Sequence, residues 1–234
     1  MPWRFACAAY SLPISDDSQG REMTHTQALK TLSAAAVLAL LSGCASNPFG
    51  GPHYVAQLQP LNTGVTGSAT TGQATFTEQG GALTIDVQVK GAPPNIEHWQ
   101  HFHGFADGRA ATCPKMSDDP DTDKILDLLE TAPFAGTTMV PFIAHPATMD
   151  IPKGTYPKAD ASGAYHYHVT VPMAELQAAF SKQFPGQKLD LDKRVVFIHG
   201  VPGSTKLPAS VQSLGPIPAQ VTLPIACGVI RKAG

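Results

Sequence analysis

The sequence predicts an all-β domain, on three observations. Leu83, Ile85, Val87 and Val89 alternate with Thr84, Asp86, Gln88 and Lys90, the period-2 pattern of a strand with one buried face. Short apolar runs are separated by Gly, Pro, Asn and Asp, and the chain of 234 residues carries 21 Gly and 21 Pro. Only 15% of residues are charged against 43% hydrophobic, which excludes a solvated disordered chain and suits one loop-rich globular domain. A formal net charge of -2 gives no electrostatic reason to expect nucleic acid.

The first segment reads as a targeting device. From Met23 a start containing Lys30 leads into the apolar run Ala34 to Leu41 and then Leu41-Ser42-Gly43-Cys44. A positive start, a short apolar core and a small-residue cleavage site are the parts of a secretory signal, and the core is too short to span a membrane. The last four residues resemble the bacterial lipobox, which implies cleavage before Cys44 and acyl chains on it. Such an anchor places the protein in the bacterial cell envelope. Ala45 after the cysteine resembles outer-membrane sorting, facing the periplasm or the surface. Residues 1–22 carry no signal logic and read as a mis-called extension, 23–43 as the signal peptide, 44–63 as a tether rich in Pro and Gly, and 64–234 as the domain. Of the four cysteines, Cys7 and Cys44 fall in or at the leader. Cys113 and Cys227 remain, and export favours their oxidised pairing. A bond closing a loop of about a hundred residues is worth roughly 4–5 kcal/mol in the chain-entropy model.

Taken in order, Gly67 to Thr77 gives a first strand, Gln79-Gly80-Gly81 a hairpin turn, and Leu83 to Val89 the second strand. Gly91-Ala92-Pro93-Pro94 ends it, and His98-Trp99-Gln100-His101-Phe102-His103-Gly104 follows. On an extended chain His101 and His103 share a face, so their imidazoles can converge on one metal ion. The bland alternative is two histidines hydrogen-bonded at a barrel rim.

Asp119-Pro120-Asp121-Thr122-Asp123, with Asp127 and Glu130, puts oxygens at positions 1, 3, 5, 9 and 12 of an EF-hand-like calcium loop. Lys124 sits where that loop uses glycine for its sharp turn. The competing reading is an acidic loop capping a short helix over Ile125, Leu126, Leu128 and Leu129. Phe134 to Phe142 is a further strand, followed by a loop holding His145. Ala164 to Val171 is a strand with a second His-x-His pair, His166 and His168, on one face and Tyr165, Tyr167 and Val169 on the other. This pair faces either solvent or the metal region. Pro172 to Phe184 has helical spacing, with Met173, Leu176, Ala179 and Phe180 on one face. Arg194 to Gly200 is a buried-strand pattern ending in His199, and Val221 to Ile230 closes the chain as a last strand.

Two of these stretches carry a resemblance. Ala226-Cys227-Gly228-Val229-Ile230 resembles the last strand of copper/zinc superoxide dismutases, and His101-x-His103-x-Phe105-x-Asp107 resembles that family's His-x-His-x-Phe-x-Asp run. His-Phe-His-Gly is equally similar to the related chordin-type (CHRD) domains of bacterial secreted proteins. The likeness runs from Gly64 to Ile230. It implies a Greek-key β-barrel or sandwich of eight strands, a Cys113–Cys227 bond tying a long loop to the last strand, and copper on His101, His103 and His199. It also implies the family's reaction, in which superoxide is alternately oxidised to oxygen and reduced to hydrogen peroxide. The bottom-up chemistry agrees, because three imidazoles suit Cu(II) or Zn(II).

The sequence also departs from the family. Cys113 is followed by Pro114, Lys115 and Met116 rather than by the segment that supplies a bridging histidine. Pro224 stands where the family has its active-site arginine; an authentic dismutase would need a substitute, for which Arg109 is a candidate that no motif supports. The zinc ligands have no counterpart in order, although His145, His166 and His168 are candidates for an accessory site. The expectation is therefore an exported lipoprotein with a copper-binding, dismutase-like domain of weak dismutation or copper-handling activity. The alternative is a non-enzymatic CHRD-type surface or matrix interaction domain.

Overall fold

A computed structural model describes residues 51–233. The leader, the extension over 1–22 and Cys44 lie outside the described residues. Eight antiparallel strands form one curled, half-barrel sheet: β1 (His53–Pro60), β2 (Thr71–Gln79), β3 (Ala82–Lys90), β4 (Gln100–Gly104), β5 (Thr137–Pro141), β6 (Tyr165–Pro172), β7 (Val195–His199) and β8 (Pro224–Lys232). Their order across the sheet is β5-β4-β7-β8-β1-β2-β3-β6, so β4 and β7 are brought together although about ninety residues separate them. The helices are short: α1 (Thr63–Thr66), α2 (Leu128–Ala135), α3 (Met173–Gln183) and α4 (Ala219–Thr222). None is long and apolar enough among the described residues to cross a membrane.

The β2–β3 hairpin turns at Gly80 and Gly81, whose φ values of 59° and 79° require the left-handed region. Its register pairs Phe76 with Ile85 and Ala74 with Val87, all fully buried on the inner face. That face continues through Phe102 of β4, Val196 and Ile198 of β7 and Ile225 and Ile230 of β8 into one core. Helix α3 covers it with Leu176 and Phe180, as the helical spacing predicted. The sheet is not hydrogen-bonded shut between β5 and β6, but the Tyr167 hydroxyl donates to the Ile143 carbonyl at 2.8 Å and the Tyr165 hydroxyl to Gln100 Oε1 at 3.2 Å. These bonds pin edge strand β6 to the far side of the core.

The tether drawn to Thr63 is too long. Residues 53–60 form β1, a central strand paired with both β2 and β8, with Ala56 and Leu58 buried. Asn62 is buried too, donating through Nδ2 to the carbonyls of Leu126 and Pro224 at 2.8 Å each and accepting from the Leu126 amide. The domain therefore includes residues assigned to a linker because of their Pro and Gly neighbours. His53, placed in that linker, has its Nδ1 2.9 Å from the Thr77 hydroxyl across the β1–β2 ladder.

The predicted disulfide is present: Cys113 and Cys227 are bonded, 114 positions apart, with Cα atoms 5.8 Å apart. It fastens the segment after β4 over the outer face of the sheet. There Leu126 and Ala135 pack with Val195, Phe197 and Cys227 in a second, smaller apolar cluster.

Candidate metal centre

His101 and His103 project from β4 to the same outer face, and β7 runs antiparallel beside them with His101 opposite Phe197 and His103 opposite Val195. The register shifts between Ile198 and His199, where β7 ends, and His199 turns to the same side. On the other flank, β5 sets Thr138 opposite His103. Gly136 makes this approach feasible: it ends α2 at φ 74°, and a Cβ there would lie 2.1 Å from the Gly104 carbonyl oxygen.

The three rings cluster. Ring centroids are 4.8 Å apart for His101–His103, 4.6 Å for His101–His199 and 5.9 Å for His103–His199. One ligand nitrogen from each lies within 4.8 Å of the others, and all three residues are buried. His103 Nε2 is 3.1 Å from His101 Nδ1 and 3.2 Å from the Thr138 hydroxyl. The tautomer of His199 follows from its partner. Nδ1 donates to the Thr222 carbonyl at 2.7 Å, so the neutral ring carries its lone pair on Nε2, a buried nitrogen with no hydrogen-bond partner. His103 Nδ1 is likewise buried and makes no well-formed hydrogen bond, the Gly136 backbone being the polar group that acts on this ring. Unpaired polar atoms in a dry interior are costly, and a bound ion would satisfy a lone pair of this kind.

Burial holds all three rings neutral. Desolvation, then His199 and His103, push His101 well below the ordinary imidazole range; desolvation and then His199 push His103 down to about 3. Desolvation brings His199 down to about 4 against the opposing effect of the Thr222 bond. Neutral imidazoles are the form that ligates a metal. A cavity of about 200 Å³ reaches His101 and His199, walled by Trp99, Leu128, Ile151, Leu214 and Ile217. No fixed charge lines it among the described residues. Trp99 is itself stacked on Tyr156, centroids 5.2 Å apart.

The other predicted site residues have different fates. His145 is exposed at the start of a short 3-10 turn and joins no ligand group among the described residues. His166 and His168 lie on the outer face of β6, exposed, and meet Asp86 of β3 instead of the buried trio. Asp119, Asp121 and Asp123 do come together, but Asp127 and Glu130 stand outside their group. Those two form the capping box of α2: Asp127 Oδ1 accepts from the Leu129 and Glu130 amides, and Glu130 Oε2 accepts from the Asp127 amide. Asp127 Oδ2 also accepts from the Gln212 amide. The twelve-residue calcium loop is therefore not assembled, because its last two carboxylates serve a helix N-terminus. Arg109 lies on the surface with its guanidinium 3.6 Å from the Phe105 ring centroid and 3.6 Å from Asp107, outside the cavity lining.

Sequence reasoning missed His98, which is buried with Nδ1 3.0 Å from the His199 carbonyl and Nε2 2.9 Å from the Pro93 carbonyl. It braces the backbone of a trio member from behind. It also missed Thr138 and the Thr222 carbonyl. No local pattern marks these, since each acts through a strand or turn remote in sequence. Comparison with protein-family models and with curated proteins gives no match.

Proposed function

We propose that the chain is a copper protein of copper/zinc superoxide dismutase-like type, exported and lipid-anchored through Cys44, with His101, His103 and His199 holding one copper ion. The observation that carries this reading is the convergence of three buried, neutral imidazoles, one of them fixed by its Thr222 bond with an unpaired Nε2. Of the metals that suit an all-imidazole site, Cu(II) binds most tightly at equal availability. When bound, copper supplies one-electron redox chemistry. The chain's own contribution is to position the ligands. Thr222 sets the His199 tautomer, Thr138 restrains His103, and His98 braces the His199 backbone.

The same surroundings argue for copper handling or slow dismutation over a fast enzyme. Leu, Ile and Trp wall the approach, and Arg109 lies away from it, so nothing there focuses an anion such as superoxide. A CHRD-type interaction domain that had lost its site would favour dispersed rings, and the clustered ones weigh against that alternative. Copper titration of the protein, read by electron paramagnetic resonance, tests the reading. One Cu(II) held by the buried trio is expected in the wild type and none at this site in H101A/H199A, with H166A/H168A as the background for both so that copper on the exposed β6 histidines is not counted; equal binding with and without the H101A/H199A change overturns it. A superoxide assay on the loaded protein then separates slow dismutation from copper handling alone.

A further inference from the structure

We propose that Asp86, His166 and His168 form a second, solvent-exposed site for a borderline divalent ion of the zinc class. The site is independent of the copper reading, since it shares no residue with the buried trio and lies at the other edge of the sheet. In the β3–β6 ladder Asp86 is directly opposite His168, and His166 stands two residues away on the same face. Asp86 Oδ2 sits between the rings, 2.7 Å from His166 Nε2 and 2.9 Å from His168 Nδ1. Gln88 Nε2 donates to the other carboxylate oxygen, Oδ1, at 3.3 Å and so orients the group.

The scaffold is stiff where it matters. His166 and His168 alternate along β6 with Tyr165 and Tyr167, whose hydroxyls are bonded across the core. Beside the cluster, the hydroxyls of Thr84 and Thr170 meet at 2.9 Å across the same two strands. The ladder thus fixes three Cβ positions, while the imidazoles are held only by their contacts to Asp86 and to each other. Zinc bonds to nitrogen and oxygen run about 2.0–2.2 Å, so tetrahedral ligand atoms stand on the order of 3.3 Å apart. The present contacts must open by about half an ångström to admit an ion at that bond length. Rings more than half exposed do this by small rotations. In the metal-free form each ring donates a proton towards Asp86. Ligation needs that nitrogen's lone pair, so the proton moves to the ring's other nitrogen.

The donor set selects the ion. Two imidazoles and one carboxylate match the nitrogen-rich ligation of zinc and its neighbours. Calcium and magnesium require six or more oxygens or several retained waters, and one carboxylate does not supply them. Exposure leaves the remaining positions to water, so an ion here exchanges freely with solution.

Zinc titration of the purified protein by calorimetry tests the site. The comparison uses wild type, H166A/H168A, D86N and H101A/H199A. The exposed substitutions spare the core, and a thermal melt checks that each variant folds. The expected result is one fewer zinc per chain in H166A/H168A and at least tenfold weaker binding at the same site in D86N. H101A/H199A should retain that site, whatever becomes of the buried trio. Zinc stoichiometry and affinity unchanged in H166A/H168A, or lost only in H101A/H199A, overturns the proposal.

Discussion

The chain carries two His-x-His pairs, on β4 and on β6, and both point to the outer face of the same sheet. They end in opposite environments. The β4 pair is covered by the segment that the Cys113–Cys227 bond fastens down, and its neighbours are Phe197, His199 and Thr138. The β6 pair stands on a bare edge strand against a cross-strand carboxylate. Spacing alone makes both pairs two donors on one side. Burial then separates them: in the interior the rings stay neutral and a lone pair goes unpaired, whereas at the surface Asp86 meets one nitrogen of each ring.

The largest effect expected from this difference is on metal affinity. His199→Ala should lower copper affinity by about a hundredfold or more, since losing a ligand costs more than losing its outer partner. H166A/H168A should leave that affinity unchanged. Copper titrations of both variants followed by electron paramagnetic resonance measure this, and a reversed pattern would interchange the roles of the two pairs.

Next in size is the cover itself. Replacing both Cys113 and Cys227 by alanine should destabilise the protein by about 2–5 kcal/mol in urea unfolding. The same change should weaken copper binding and leave the exposed site as it was. Equal losses at both sites would mean that the bond supports the whole sheet rather than one end of it.

Acid should reach the buried cluster third. In the unfolded chain His103 and His199 take up protons below their ordinary 6.5, whereas in the fold they stay neutral down to about 3 and about 4. The unfolded state therefore binds more protons in that window. The stability these rings contribute is present above about pH 6.5 and is lost as pH falls towards 4, by at most about 1.4 kcal/mol per ring per pH unit. Thermal melts of metal-free protein from pH 7 to 4 check this, and the slope should shrink in H101A/H199A. The smallest effect is the stability change in H166A, expected within about 0.5 kcal/mol because the ring is exposed and meets only surface neighbours, Asp86 and the His168 ring.

What could be read from the sequence was what one strand or one turn encodes by itself. The Leu83 to Val89 alternation, the Gly80-Gly81 turn and the shared face of His101 and His103 are local and appear where expected. The Cys113–Cys227 pair followed from cysteine arithmetic. Asp86 as the partner of His166 and His168 was out of reach, because it depends on the β3–β6 register, set by eighty residues of intervening chain. Strand β1 was hidden by Pro52 and Pro60 at its ends, although Val55, Gln57 and Gln59 alternate with buried Ala56 and Leu58. Asp127 and Glu130 show how one spacing can serve two purposes. Asp-x-x-Glu before an apolar run is a helix start as well as part of a calcium loop, and the fold uses it as the former.

Strand β8 pairs with β7 on one side and with β1 on the other, so the centre of the sheet joins the first described strand to the last. A nascent chain emerging N-terminus first holds β1 and β2 long before β8 exists to complete them. Residues 53–223 then expose an unpaired edge of β1 and lack the partner of β7. The sheet of such a chain is expected to be completed only after its final stretch has been made, because pairings between distant segments close late. The topology of the sheet thus delays folding, and with it closure of the Cys113–Cys227 bond, until the whole chain has been made.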